Sequence, residues 1–276
     1  MSQGTVTRHL DYLSHLAHDS ERFVEALRQA DAAARVPTCP DWSGDDLLWH
    51  LAEVQWFWGT IVRHELTDFS DVQNLDQGER PGDRDGLLAF YEGATRDLHH
   101  ILGAASAETR AWTWSDDHTV AFIRRRQAHE ALIHRVDAEL TAGDRTPMDA
   151  DLCADGVDEV LRIMYAGLPP WGRFTPDPAQ TVRIEATDTD RSWLVTLGQF
   201  TGEDADGTAH DEPSLAVAAS DDGAPGCRAP AAATIRGAAA DLDCWLWRRP
   251  PMGPVDRSGD AMVLGCLDLT LAQGII

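Results

Sequence analysis

Apolar positions in the first half of the chain recur at the 3.6-residue spacing of helices with one buried face. Val6, Leu10, Leu13, Ala17, Val24 and Leu27 form one such stripe, which ends at the breaker RVPTCPDW. A second starts near Ser43, an N-cap candidate with Asp46 three residues on, and carries Leu47, Leu51, Val54, Phe57 and Ile61. After a polar connection over 67–86, Leu87, Tyr91, Ala94, Leu98 and Ile101 mark a third helix, and the segment from Arg124 to Leu140 a fourth. Four amphipathic helices in succession predict a helical bundle.

From about Pro169 the pattern changes. LPPWGRFTPDP reads as a Pro/Gly linker, while TVRIEA and SWLVTLG alternate as strands do. Residues 201–230 read as a weakly patterned loop with one strand at SLAVAA. ATIRGAAADLDCWLWRRP follows as a strand running into a helix, and SGDAMVLGCLDLTLA as a last helix. The expected fold class is α+β, with a helical domain over 1–168 and a smaller α/β domain over 178–276. A chain of 276 residues suffices for two such cores.

Charge narrows the partners. A net charge of −23 repels nucleic-acid backbones and anionic lipid, which favours a small-molecule or protein partner, with no nucleic acid and no membrane. All 23 basic residues are arginine, so Schiff-base lysines, pyridoxal anchors and phosphate-loop lysines are excluded together. The Arg/Ala/Asp/Gly-rich composition also suggests a GC-rich genome. Cys39, Cys153, Cys227, Cys244 and Cys266 form no C-x-x-C pair and read as reduced thiols of a cytoplasmic protein. No signal pattern or membrane-length apolar run is present.

The segment RRRQAHEALIHRVDAEL contains His129, Glu130 and His134, close to but not matching the H-E-x-x-H of zinc proteases. On a helix His129 and His134 diverge by roughly 140°, so they cannot share an ion. Glu130 and His134, at i and i+4, can. Ile123, Gln127, His134 and Asp137 lie within roughly 60° of Glu130, while Arg124, Arg125, Arg135 and Glu139 fall on the far side, expected to be the solvated face. An inward glutamate must be paired, protonated or metal-bound. His50 lies on the apolar stripe of the second helix and points inward as well. Two imidazoles and a carboxylate, His50, Glu130 and His134, suit a catalytic Zn²⁺ or another divalent metal with a position left open, and Asp137 or Gln127 can orient a ligand from behind. His9, His15, His18, His99, His100 and His118 read as solvent-facing, and His129 as a packing residue.

VPTCPDWSGDDLLWHLAEV, TWSDDHTVAFIRRRQAHEALIHRVDAEL and IRGAAADLDCWLWRRP together resemble the mycothiol-dependent maleylpyruvate isomerase family of the DinB-like metalloprotein superfamily. The likeness spans both halves. It implies an N-terminal DinB-like four-helix bundle, a C-terminal α/β domain similar to sterol-carrier proteins, and metal ligands at His50, Glu130 and His134. It implies mycothiol as cosubstrate and a small electrophile as substrate, with an arginine near the end of the second domain, here Arg248 or Arg249, holding an anionic group. Trp42 of the P-x-W pattern and Gln127 are the expected cofactor-binding positions, and Arg248, Arg249 and Asp137 the expected catalytic ones, in a monomer or homodimer. The thiol adds to an electrophilic double bond and is expelled after rotation, an isomerisation, or stays on carbon, an S-transfer. Two other classes stay open: a hydrolase using metal-bound hydroxide, and a non-enzymatic protein whose second domain holds an apolar ligand.

Overall fold

Asp11 starts the first helix, α1 (Tyr12–Gln29), by accepting a bond from the Ser14 N–H. The chain described in this computed structural model covers residues 10–218 and 230–273; Val6, His9 and Cys227 lie outside it. RVPTCPDW, expected only to break the helix, folds as an antiparallel hairpin, β1 (Arg35–Val36) with β2 (Cys39–Ser43). Ser43 then caps α2 (Gly44–Arg63) in a full capping box: its hydroxyl accepts from the Asp46 N–H while the Asp46 carboxylate accepts from the Ser43 N–H. The polar connection holds only a short helix, α3 (Phe69–Val72). Asp83 caps α4 (Arg84–Ala104) and Thr119 caps α5 (Val120–Ala142), which stops at Gly143, where φ of 77° favours glycine.

The four long helices pack most broadly as α1 on α5 and α2 on α4, with α2 also on α5 and α1 on α4. Phe23, Leu27, Val36, Leu47, Leu51 and Tyr91 fill the core between them. A buried polar tie crosses it: Tyr91 donates to the Ser20 carbonyl at 2.8 Å and the Gln55 amide to the Ser20 hydroxyl at 2.9 Å.

α5 is not a surface helix with one solvated face. Arg135 and Glu139, expected outside, are 2% and 0% exposed. α1 covers that side of α5, so Arg135 donates to Asp19 at 2.6 Å and to Glu139 at 3.1 Å, and the segment after Gly143 turns back to give it the carbonyl of Pro147 at 2.7 Å. A planar, five-donor guanidinium can satisfy several acceptors at once, which makes its burial tolerable. Arg124 is half-buried, its guanidinium on the carbonyls of Leu102 and Ala105.

Two compact units emerge, Met1–Pro147 and Met148–Ile276. The second opens with α6 (Ala150–Glu159), continued by a π-helical turn over Val160–Tyr165. Residues 148–168, attached to the first domain by the sequence pattern, thus group with the second unit, where α6 packs on α7. The strands are β3 (Gly172–Ala186), β4 (Ser192–Glu203), β5 (Ala209–Val217) and β6 (Ala233–Gly237), followed by α7 (Ala239–Leu246), β7 (Asp256–Gly259) and α8 (Ala261–Ala272). The sheet order is β5-β4-β3-β6-β7, antiparallel throughout except for β3 with β6. LPPWGRFTPDP is not a linker: from Gly172 on, it pairs with β4, and prolines at its irregular register around 176–181 explain its loop-like composition. Likewise the supposed loop over 201–230 supplies the end of β4 and all of β5. The architecture is mixed helix and sheet, α+β. Among the described residues no helix is long and apolar enough to cross a membrane.

Two features carry measurable stability. Bonds from the Ser43 hydroxyl and N–H, with Arg80 beside it, lower the Asp46 pKa from 3.8 to about 2, so its stabilising effect is complete above 3.8 and is lost as the pH falls toward about 2. Asp46→Ala should cost about 1 kcal/mol at pH 7, with the gap to wild type closing near the acid end; equal urea midpoints at pH 7 would rule the cap out as a contributor. Arg135→Met leaves the Asp19 and Glu139 carboxylates buried without their shared guanidinium and should cost about 3 kcal/mol or more in urea unfolding. A loss of well under about 1 kcal/mol would show that the network is already solvated.

Candidate metal centre

His50 reaches the centre because the capping box fixes the start of α2 and places it near the end of the second turn, with Leu47 and Leu51 anchoring the same stretch in the core. Glu130 and His134 come from adjacent turns of α5, at the spacing that stacks side chains on one face. The Nε2 atom of His134 lies 3.1 Å from Glu130 Oε1, and that of His50 lies 3.8 Å from the same oxygen. The two imidazoles meet edge to face, centroids 4.8 Å apart. These three side chains can hold one metal ion: a donor atom from each lies within 4.8 Å of the others, and His50 and Glu130 keep 33% and 19% of their side chains exposed.

Groups behind the cluster set its electrostatics. Burial pushes the Glu130 carboxyl up, but the Arg126 guanidinium and the neighbouring imidazoles hold it well below the usual carboxylate range. His134 would be lowered by burial, yet its bonds to Asp137 and Glu130 push it up to about 9. Asp137 is fully buried and bonds His134 Nδ1 at 3.0 Å, while Thr38 of the hairpin donates to its other oxygen at 2.5 Å. With Nδ1 engaged by a carboxylate, Nε2 is the nitrogen turned toward Glu130, the orientation that a metal-ligating imidazole needs.

Trp42, also on the hairpin, lies against the ring of His50 with centroids 4.8 Å apart. Gln127, one turn before Glu130, is 1% exposed, and neither amide atom has a hydrogen-bond partner among the described residues. His129 is set apart from the cluster: it is buried, with its ring 6.2 Å from that of Tyr12. Arg248 and Arg249 follow α7 in the second unit; Arg248 is exposed with φ of 61°, and the Arg249 guanidinium donates to the Trp247 carbonyl at 2.7 Å. Cys39 is half-buried.

Two residues at the centre were not singled out from sequence. Arg126 is four residues before Glu130, so the i, i+4 rule could have paired them, although three successive arginines suggest solvated charge. Thr38 reaches α5 across 99 positions, a distance no local pattern reports.

Residues 13–139, from α1 to the last turn of α5, match the family model described as Mycothiol maleylpyruvate isomerase N-terminal domain. Residues 151–265 match the MDMPI C-terminal domain. No curated protein and no solved structure matches the chain. With both halves matched, and the donor cluster lying inside the first, the chain belongs to the mycothiol maleylpyruvate isomerase family.

Proposed function

We propose that the protein is a mycothiol-dependent metalloenzyme acting on a small electrophile, by S-transfer or by cis-trans isomerisation. The observation that carries this reading is the meeting of His50, Glu130 and His134 on two packed helices in a chain matched by both family domains. The four long helices are read as a DinB-like bundle, and the second unit as an α/β domain similar to sterol-carrier proteins, whose Arg248 or Arg249 is read as an anion-binding side chain. The donor chemistry fits a divalent metal such as Zn²⁺: two imidazole nitrogens and one carboxylate oxygen, backed by a carboxylate on the far nitrogen of His134.

A metal ion bound there supplies acidity, lowering the pKa of a coordinated thiol so that thiolate is available near neutral pH. The protein's own groups do the rest. Asp137, itself held by Thr38, positions His134 and keeps Nε2 toward the centre. Trp42 packs against the His50 ring and limits its movement. Gln127, buried on the same face of α5, is read as orienting a ligand of the centre from behind. None of the four cysteines among the described residues belongs to the donor cluster, which fits an enzyme whose nucleophilic sulfur arrives with the cosubstrate.

The metal reading is tested by elemental analysis. Wild type should carry about one divalent ion per chain, and His50→Ala, Glu130→Ala and His134→Ala should each lose it while keeping a native far-UV spectrum. Full loading of His134→Ala alongside a metal-free His129→Ala would assign the wrong histidine.

The thiol reading needs a spectroscopic test. In the Co²⁺-loaded protein, mycothiol should produce an intense sulfur-to-metal charge-transfer band that a thiol-blocked analogue does not produce. Glutathione, with its extra carboxylates, should do so less effectively against a protein of net charge −23. A spectrum indifferent to mycothiol, together with thiol-independent ester or amide hydrolysis, would transfer the protein to the hydrolases.

A further inference from the structure

Glu130 has two oxygens, and the structure uses them differently. Oε1 faces the imidazoles, 3.1 Å from His134 Nε2 and 3.8 Å from His50 Nε2. Oε2 accepts a bond from Arg126 Nη2 at 2.5 Å. Arg126 is 3% exposed, and its side chain lies on the turn of α5 immediately before Glu130. A buried arginine beside a group of cation ligands is an unusual combination. If charge balance for Glu130 were all that was needed, a divalent ion would supply it, and a guanidinium at the same carboxylate would only repel that ion.

We propose that Arg126 is a positioning residue of the metal centre: by occupying Oε2 it reserves Glu130 as a one-oxygen ligand, so that the ion is held less tightly and keeps positions available for thiol and electrophile. This rests on the metal reading given above and adds a role for a side chain outside the donor set. The fork of an arginine suits the task, because it can hold one carboxylate oxygen while its other nitrogens are anchored elsewhere, and it stays charged at any physiological pH. Affinity is exchanged for reactivity. A carboxylate shared with a cation is a weaker donor, and a metal with a weaker donor set is a stronger Lewis acid toward whatever else it binds.

The test compares Co²⁺ binding by wild type and Arg126→Gln, using the full chain and a chelator competition for affinity. Removing a positive charge this close to a doubly charged ion outweighs the rotamer freedom regained by one glutamate, so Arg126→Gln should bind Co²⁺ roughly tenfold more tightly. Its visible absorption should also weaken as the freed Oε2 joins the metal and raises the coordination number. A purely structural arginine would lower the melting temperature of the metal-free protein without changing either quantity. Identical affinity and spectrum in the two proteins therefore overturn the proposal. Should Arg126→Gln fail to fold, a crystal structure of the Zn²⁺-loaded wild type decides: Glu130 ligating through Oε1 with Arg126 on Oε2 upholds the inference, and both oxygens on the ion overturn it. Wild type that binds no Co²⁺ brings down the metal reading and this inference together, whereas tight wild-type binding that Arg126→Gln leaves unchanged brings down this inference alone.

Discussion

An ionised carboxylate placed between packed helices is costly unless something replaces the water it has lost. Glu130 meets that condition with three neighbours, Arg126 on one oxygen and the imidazoles of His134 and His50 on the other. The surrounding elements are arranged to keep those neighbours in place. The capping box that starts α2 fixes where His50 falls, and α5 supplies Arg126, Glu130, His134 and Asp137 from four adjacent stations on one helix. The short hairpin adds Trp42 against His50 and Thr38 against Asp137, so one local feature touches one imidazole directly and the other through its carboxylate.

The polar content of α5 is unusual for the most enclosed helix of its unit. Arg126, Gln127, His129, His134, Arg135, Asp137 and Glu139 are all buried. Two separate polar systems account for most of them. Near the centre, Glu130 and the imidazoles of His50 and His134 converge, a donor atom of each within 4.8 Å of the others. On the opposite flank, Arg135 closes a network with Asp19 and Glu139 that is satisfied internally and, among the described residues, belongs to no metal-donor group. Within one element the two systems differ in kind: the Arg135 network pairs charges of opposite sign, while the candidate centre brings lone pairs of two imidazoles and a carboxylate together.

Much of this was readable along the chain because it depends on local spacing. Periodicity locates the four long helices, the Ser43 and Asp46 spacing predicts the cap, and the 100° step of a helix separates His129 from the Glu130–His134 pair. The strands TVRIEA and SWLVTLG and the strand-to-helix passage at the C-terminal end also appear as read.

Tertiary structure decided what depends on neighbours distant in sequence. Whether the far side of α5 meets water or α1 cannot be told from α5, since the angular pattern of Arg135 and Glu139 is the same in either case; the packing of Asp19 against them turned an expected solvated face into a buried ion network. LPPWGRFTPDP departs from its linker-like pattern for a similar reason, because proline and glycine composition reports local turn preference while a long antiparallel partner can still impose a strand. Thr38 meets Asp137 only when the hairpin folds onto α5, and the division of Glu130's oxygens between Arg126 and the imidazoles is a matter of side-chain geometry. The sequence by itself determined which residues could share a helix face and what chemistry they could do there; only the fold determined which faces meet, because burial and ion pairing belong to surfaces in contact and not to any one stretch of chain.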